Sequence, residues 1–310
     1  MRYFIAVVLV FASVVCSYGQ GMIRVGAWNI ENLGSKYGRD YPKERSSHGY
    51  GIARKPKDVA AVIRNLNVDV LALTEIDDDD QDSGARSNSI LDEALEILNK
   101  DPGNDWQYEL FARKRRGQET QLTGIAWNKM RITREGRRMR IPVVDLERNR
   151  YSEWDRHPHA MKFTKGEGRT DFVVVPIHMK SGFYDQDDIR QRQLEAISLK
   201  EEFPELQAHF DDQDIILIGD FNMTHKNEAA GRVFRNAKPR LFDLNYYDVP
   251  THVSGKALDR CYIPRKQRQS EFRGVSRVQV VAPSDKAKFR KALSDHFPIV
   301  LEFKEMADDD

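Results

Sequence analysis

The sequence predicts an α/β fold in which mixed β-sheets carry helices on their outer faces. Short runs dense in Val, Ile and Leu alternate with amphipathic segments of helical period along the whole chain, the pattern of sheets and helices packed in layers. Some neighbouring apolar runs are joined too closely for a crossover helix, so hairpins accompany the crossovers and the sheets are mixed. No internal repeat, low-complexity linker or break in composition divides residues 20–310, which are expected to form one domain.

The elements follow in order. Residues 23–28 read as the first strand. A polar loop over 36–57 is long enough to suggest a role beyond connection. Pro56 opens a helix with Val59, Val62, Ile63 and Leu66 at helical spacing, and Asn67 ends it;. Strand 68–73 follows, then a second amphipathic helix over 89–99 with Ile90, Leu91, Ala94, Leu95 and Leu98. Residues 106–112 and 124–127 read as a strand pair. The Arg-rich stretch 131–169, which holds Trp154, His157 and His159, shows no clear period. Residues 172–177 form a strand in which Pro176, lacking an N–H, predicts an edge position or a bulge. Residues 188–203 read as a helix stopped by Pro204. Strands at 214–218, 258–263, 275–281 and 297–303 complete the set.

Several of these strands meet a polar residue at one end: Asn29, Glu75, His178, Asp220 with Asn222, and His296. Buried strands that finish this way place their polar ends along one rim. Amides, carboxylates and two imidazoles are the groups that hydrolysis of a phosphate ester with a hard metal ion requires. Gly219 allows close backbone approach, and Asp220 and Asn222, two residues apart, can present their side chains to one face, where they orient a water and grip a phosphate oxygen. His296, next to Asp295, is placed to titrate near neutral pH as a general base. Taken alone, a structural histidine held by a carbonyl explains His296 equally well; the other polar strand ends favour the catalytic reading.

Residues 1–19 have the form of a secretion signal. Arg2 precedes an apolar stretch over 4–15, and Ser17-Tyr18-Gly19 offers small residues around a cleavage point;. The stretch is too short to span a bilayer. Secretion, or export to a periplasm, is expected; lipid attachment at Cys16 ranks below it because Val15 fits such a signal poorly. The chain carries 49 Lys and Arg against 48 Asp and Glu, and cleavage removes Arg2, which leaves a formally neutral protein. No global basic field advertises nucleic acid. Charge is segregated locally instead: basic at 114–116, Arg137-Arg138, Arg140 and 265–268, acidic at 77–80 and 308–310. Cys261 remains as the single cysteine, so no intramolecular disulfide forms, and its apolar surroundings predict a buried, inert thiol.

The order Asn29, Glu75, His178, Asp220-Phe221-Asn222, Asp259-Arg260 and Asp295-His296 resembles that of the endonuclease/exonuclease/phosphatase superfamily, with similarity from Arg24 to Phe303. The resemblance implies a four-layered sandwich, two packed mixed β-sheets flanked by helices, with the site at one rim. It implies Mg²⁺ as cofactor, with Mn²⁺ or Ca²⁺ as alternatives. Glu75 would be the principal metal ligand, Asn29 its support or a phosphate contact, and Asp295 a further metal or histidine contact. His178 resembles the histidine that contacts or protonates the scissile phosphate. Asp220 and Asn222 correspond to residues that orient water and bind phosphate. Asp259 would fix the tautomer of His296 and raise its basicity, leaving His296 as the base. The sequence departs from nuclease relatives at two points. Those relatives place a glutamate behind the first histidine, where the nearest residue here is Gln121, with Glu119 close by; Thr74 stands where many have glutamine. An amide holds an imidazole but stabilises its cation less well.

The substrate is read less firmly. Abasic-site endonucleases usually have a tyrosine where this chain has His178. Residues 177–182 (Ile-His-Met-Lys-Ser-Gly) resemble secreted non-specific nucleases, with Lys180 and Ser181 placed to hold a neighbouring phosphate;. Tyr37, Tyr41 and Tyr50, interleaved with Arg39, Lys43, Arg45 and Arg54, suit stacking and backbone neutralisation. The expectation is a secreted, metal-dependent endonuclease acting on DNA, with RNA left open, monomeric and without stable membrane insertion. Two alternatives stand beside it: a phosphomonoesterase, and a sphingomyelinase-like lipid phosphodiesterase whose interfacial tips would be Phe183-Tyr184 and Tyr246-Tyr247. The complete residue set argues against a binding protein that has lost catalysis.

Overall fold

A computed structural model of the chain describes residues 21–34, 54–79, 85–113, 120–143, 145–147 and 154–308. Among these residues, twelve strands build two six-stranded sheets. The first contains β1 (Met22–Leu33), β2 (Val70–Ile76), β3 (Trp106–Phe111), β4 (Leu122–Asn128), β11 (Gln279–Val280) and β12 (Ile299–Lys304), in the order β11-β12-β1-β2-β4-β3. The second contains β5 (Thr133–Arg140), β6 (His159–Thr164), β7 (Asp171–His178), β8 (Ile215–Asp220), β9 (Leu241–Asp243) and β10 (Asp259–Pro264), in the order β5-β6-β7-β8-β10-β9. Each sheet is antiparallel except for one central parallel pair, β1 with β2 and β7 with β8. Parallel neighbours need a crossover; α1 (Pro56–Leu66) supplies it for the first pair, and α3 (Gln186–Glu201) with α4 (Phe203–Phe210) for the second.

The sheets face each other over a core that includes Val25, Val70, Ile125, Val174, Ile216 and Leu301. On the outer face of the first sheet, α1 and α2 (Ser89–Asn99) pack through Val59, Ile63, Leu91 and Leu95. On the second, α3, α4 and α5 (Ala229–Arg235) pack through Leu199, Phe203 and Phe234. A short α6 (Lys286–Ala292) precedes β12. The result is the α/β sandwich, helix on sheet on sheet on helix, that the sequence implied. Among the described residues no helix is long and apolar enough to cross a membrane. Residues 1–19 lie outside them.

Four expectations change. Pro176 is neither on an edge strand nor at a bulge: β7 is interior and Pro176 sits opposite Ile218 of β8. Its registered pairs with β6 stop at Val174, so no ladder bond on that side asks for the missing N–H. Pro204 does not stop a helix; α3 ends at Glu201 and Pro204 lies in the first turn of α4, where its fixed φ is favourable and no N–H is needed. The Arg-rich stretch contains β5 and β6, and the strand expected over 275–281 shortens to β11. Cys261 is fully buried in β10, and burial pushes its thiol well above the usual range, as an inert core residue requires.

Candidate active site

Parallel strands end on the same side, and β1 and β2 pack against β7 and β8, so the two parallel pairs finish at a common rim. Asn29 stands opposite Thr74, one residue before Glu75, and His178 stands opposite Asp220. Asp259 opens β10 directly across from Asp220. The amide of Asn29 donates to Glu75 Oε1 and to Asp220 Oδ2, both at 3.0 Å, and so ties one sheet to the other. His178 Nε2 lies 3.6 Å from the same Glu75 oxygen and 3.8 Å from the same Asp220 oxygen. Asn222 Nδ2 donates to Asp220 Oδ2 at 3.2 Å and to the Met179 carbonyl at 3.0 Å. His296 Nδ1 is 2.8 Å from Asp259 Oδ2, and its Nε2 is 3.8 Å from Asp220 Oδ2. One carboxylate oxygen of Asp220 is therefore the hub around which both amides and both imidazoles gather.

The backbone is bent to make this possible. Glu31, Asn32, Glu75, Gln121 and Asn222 all have φ between +47° and +60°, a region that costs a non-glycine residue about 1–3 kcal/mol. Gly219 has φ +141°, and a Cβ there would fall 2.3 Å from the Ile177 carbonyl. Only glycine lets β8 approach β7 this closely, and that approach sets Asp220 beside His178. Ser294 donates to the Asn29 carbonyl at 2.7 Å and accepts the His296 N–H at 3.0 Å, while Trp28 Nε1 donates to the His296 carbonyl at 3.2 Å. These bonds sew the segment carrying His296 to the end of β1.

The two histidines are driven in opposite directions. Burial, reinforced by the positive charges of Arg156, His296 and Arg113, holds His178 well below its ordinary pKa, so it is a neutral imidazole. Burial also opposes a charge on His296, but the carboxylates of Asp259 and Asp220 and the bond to Asp259 outweigh it and raise its pKa well above the ordinary value. Burial raises Asp220 too; the charge of His296 opposes this, and Asp259 and Glu75 add to it. Environments that push like groups apart separate their roles. His178 can exchange hydrogen bonds with a phosphate oxygen, and His296 is the more basic of the two imidazoles.

Glu75, His178 and Asp220 offer donor atoms within 4.8 Å of one another. Two carboxylates and an imidazole suit a hard divalent cation such as Mg²⁺ or Mn²⁺, and the charge of such an ion would offset the burial and the neighbouring Asp259 and Glu75 that raise Asp220. The residues therefore fit the metal. Asn29 aligns the two carboxylates; its own amide oxygen already accepts the Glu31 N–H at 2.9 Å. Asp295 belongs to a different group of donors, with His252 and His296. Its Oδ2 lies 3.4 Å from His252 Nε2, and its Oδ1 3.9 Å from His296 Nε2. It is thus a histidine contact. Despite burial, the His252 bond and the charges of His296, His252 and Arg290 lower its pKa.

Other expected site residues lie elsewhere. Lys180 turns its ammonium to Asp188 at 3.0 Å, and Ser181 is exposed with no hydrogen bond into the cluster. Gln121 does not back His178: its side-chain amide oxygen accepts from Arg156 at 2.5 Å, and its backbone N–H donates to Asp77 Oδ1 at 2.7 Å. His178 Nδ1 is buried with no hydrogen-bond partner among the described residues. Arg54 is a structural clamp on the carbonyls of Ile30 and Asn32 rather than a free cation. Within the acidic run, Asp78 and Asp79 accept from Ser87 and Ser89 at the start of α2. Glu119, Tyr37, Arg39, Tyr41, Lys43, Arg45 and Tyr50 lie outside the described residues. Sequence reasoning missed Arg113 and Arg156, the cations beside His178, and His252, whose ring stacks edge-on against His296 at 4.8 Å. The string Pro250-Thr251-His252, seven residues before Asp259, was the available signal for the last.

A buried group on α3 supports the rim from behind. Glu195 Oε2 accepts the Lys180 N–H at 2.9 Å, and Arg192 Nη1 donates to the Lys180 and Gly182 carbonyls at 3.0 and 2.5 Å. Arg192 also pairs with Glu228 at 2.5 Å. Burial pushes the Glu195 carboxyl up to about 8, against the Lys180 bond and the charges of Arg156 and Arg192. The fold then holds that proton more tightly than the unfolded chain does. The associated stability is full below the ordinary pKa of 4.5 and is lost as pH rises through about 8;. Glu195→Gln keeps an acceptor for Lys180 without the titration. Relative to wild type it is expected to gain on the order of a few kcal/mol between pH 5 and pH 8.5. Denaturant unfolding of both proteins at the two pH values measures this; parallel pH profiles would refute it.

The sandwich and the cluster at its rim define a phosphoesterase class of α/β protein. The chain belongs to the Endonuclease/Exonuclease/phosphatase family, which matches residues 26–296; its members are phosphoric-ester hydrolases, generally dependent on divalent metal. No curated protein matches the sequence. Similar solved structures include the Bacteroides thetaiotaomicron mannosyl-6-phosphatase (TM-score 0.61, 16% identity, covering 92% of this chain and 99% of that one). They also include the human Nocturnin catalytic domain with a bound sulfate anion (TM-score 0.58, 15% identity, 93% and 98%), and truncated Caenorhabditis elegans TDP2 (TM-score 0.54, 15% identity, 91% and 98%). At these identities the likeness is one of fold.

Proposed function

We propose that the protein is a secreted, divalent-metal-dependent phosphodiesterase that cleaves nucleic acid, with DNA as the first substrate to try. The observation that carries this reading is the convergence of Asn29, Glu75, His178, Asn222 and His296 on Asp220. Water attacks the phosphorus, His296 Nε2 receives its proton, and the bond to the leaving oxygen breaks. Asp259 on Nδ1 directs Nε2 toward Asp220 and the site. His178, neutral, and Asn222 hold phosphate oxygens. A divalent cation held by Glu75 and Asp220 would supply charge to the phosphate and relieve the carboxylate crowding that keeps His296 protonated. The secretion proposal rests on the signal pattern of residues 1–19, and N-terminal sequencing of exported protein tests it.

A second reading, a phosphomonoesterase, is favoured by one feature. The charges of Arg156 and of Arg113, the latter paired with Asp155 at 2.6 Å, lower the pKa of His178, and positive charge on this side of the site suits a dianionic monoester. Purified protein with Mg²⁺ or Mn²⁺, with and without chelator, offered plasmid DNA, RNA, a sugar phosphate and sphingomyelin vesicles separates the readings. Chelator-sensitive plasmid or RNA cleavage is the expected result. Turnover of the sugar phosphate alone, or of vesicles alone, replaces the nuclease with the monoesterase or with a lipid phosphodiesterase.

A further inference from the structure

Three rim loops carry aromatic rings and lysines in a repeated arrangement. Phe183 and Tyr184, in the loop after β7, meet edge to face with centroids 6.5 Å apart, and the ammonium of Lys256 lies 3.4 Å from the centre of the Phe183 ring. Tyr246 and Tyr247, in the segment before β10, meet edge to face at 5.8 Å, and the ammonium of Lys226 lies 3.6 Å from the Tyr246 ring. In each unit a lysine sits on the inner ring and the outer tyrosine projects, Lys256 also reaching to 4.8 Å from the Tyr184 ring: Tyr184 is 85% exposed and Tyr247 78%. Neither tyrosine hydroxyl has a hydrogen-bond partner, and neither lysine a carboxylate partner within 4.0 Å, among the described residues.

Both units adjoin the reacting centre. The Lys256 loop is bound to the His296 segment, through the His252–His296 bridge and the Val253 N–H to the Asp295 carbonyl at 2.9 Å. Lys226 lies four residues beyond Asn222, and its N–H donates to Asp248 Oδ1 at 2.8 Å, which joins its loop to that of Tyr246 and Tyr247. We infer that these loops form a subsite for single-stranded nucleic acid, with bases stacking on Tyr184 and Tyr247 and flanking phosphates meeting Lys226 and Lys256. The inference rests on the nuclease reading and adds strand preference to it. A projecting ring with an open face accepts an unpaired base of any identity, and a cation beside it neutralises the backbone; a base paired inside a duplex offers no such face. A membrane is the poorer occupant. The projecting residues are tyrosines rather than aliphatic tips, and Asp185, Asp187, Asp188 and Asp248 flank them and would have to leave water to enter an interface.

The test is the steady-state hydrolysis of a single-stranded 12-mer, the matching duplex and bis(p-nitrophenyl) phosphate, the last carrying no nucleobase and no flanking phosphate. Tyr184→Ala and Tyr247→Ala are each expected to raise KM for the single strand about tenfold with kcat nearly constant, while kcat/KM on the small ester stays within about twofold. Lys226→Ala and Lys256→Ala should each lower the salt slope of single-strand binding by about 0.7. If wild type cleaves the 12-mer and the tyrosine variants match it, the subsite is refuted and the nuclease reading stands. Equal losses on both substrates also refute it, since they locate the damage at the reacting centre. Loss of sphingomyelin-vesicle turnover with unchanged 12-mer kinetics makes the patch a membrane contact instead. Wild-type turnover of the small ester with no cleavage of any oligonucleotide removes the nuclease reading itself.

Discussion

Replacing His296 with alanine is expected to lower kcat on a phosphodiester by about 10²–10⁴ with little change in KM. His296 Nδ1 is committed to Asp259 at 2.8 Å, so Nε2 is the proton acceptor that remains for an attacking water. The substitution should leave the fold intact. The bonds that hold the segment, the N–H of residue 296 to Ser294 and the Trp28 indole to the carbonyl of residue 296, use backbone atoms that alanine retains. A thermal melt within a few degrees of wild type would show this. Asp259→Asn keeps the size of the partner and loses its charge, and with it the tautomer and basicity of the imidazole. Because the two residues act as a unit, the double variant is expected to be no worse than His296→Ala by more than about threefold. Retention of more than a tenth of wild-type kcat by His296→Ala would remove the residue from the role of base. A double variant as slow as the product of the two single losses would uncouple Asp259 from it.

The rim was legible because each apolar run betrays its own end. A buried strand that stops on His178 or Asp220, or an apolar run that gives way to Asn29 inside β1, leaves a polar group at the rim, and two parallel pairs deliver those groups to one place. What stayed obscure has physical causes. The strand β5 is an exposed edge that buries Met139, and its contacts with aromatic rings are made by arginines: Arg134 lies over the Trp127 ring and Arg138 over that of Phe111, both at 5.9 Å. Guanidiniums that pack like hydrocarbon erase the alternation that marks a strand. The same stretch hides Arg156, whose position beside His178 comes from an irregular segment. Pro204 misled because α3 and α4 follow each other with a single residue between them, so helical periodicity runs on across the joint. Arg54 misled because a cation in a polar loop reads as a free one, whereas here it satisfies two carbonyls at the end of β1.

Glu75→Gln should invert the response of the protein to divalent metal. Glu75 and Asp220 share the amide of Asn29 and sit beside His178, and without a cation their charges repel. Removing one charge is therefore expected to leave the variant as stable as wild type, or more so, in chelator. In Mn²⁺ or Mg²⁺ the order reverses. Metal at about a hundred times its Kd stabilises wild type by about 2.7 kcal/mol, which is several degrees in Tm for a chain of this size, and the variant loses most of that gain. A merely structural carboxylate would not behave this way, since its loss would lower Tm equally in both conditions. Catalysis follows the metal: an ion that supplies several kcal/mol of charge stabilisation is worth about 10²–10³ in kcat or more at about 1.4 kcal/mol per decade. Calorimetric titration gives the same answer without turnover, with Mn²⁺ affinity weakened strongly in Glu75→Gln and only slightly in Asp295→Asn, because Asp295 is engaged by His252 and Arg290. Equal loss of affinity in both variants would move the ion toward the His252 side of His296.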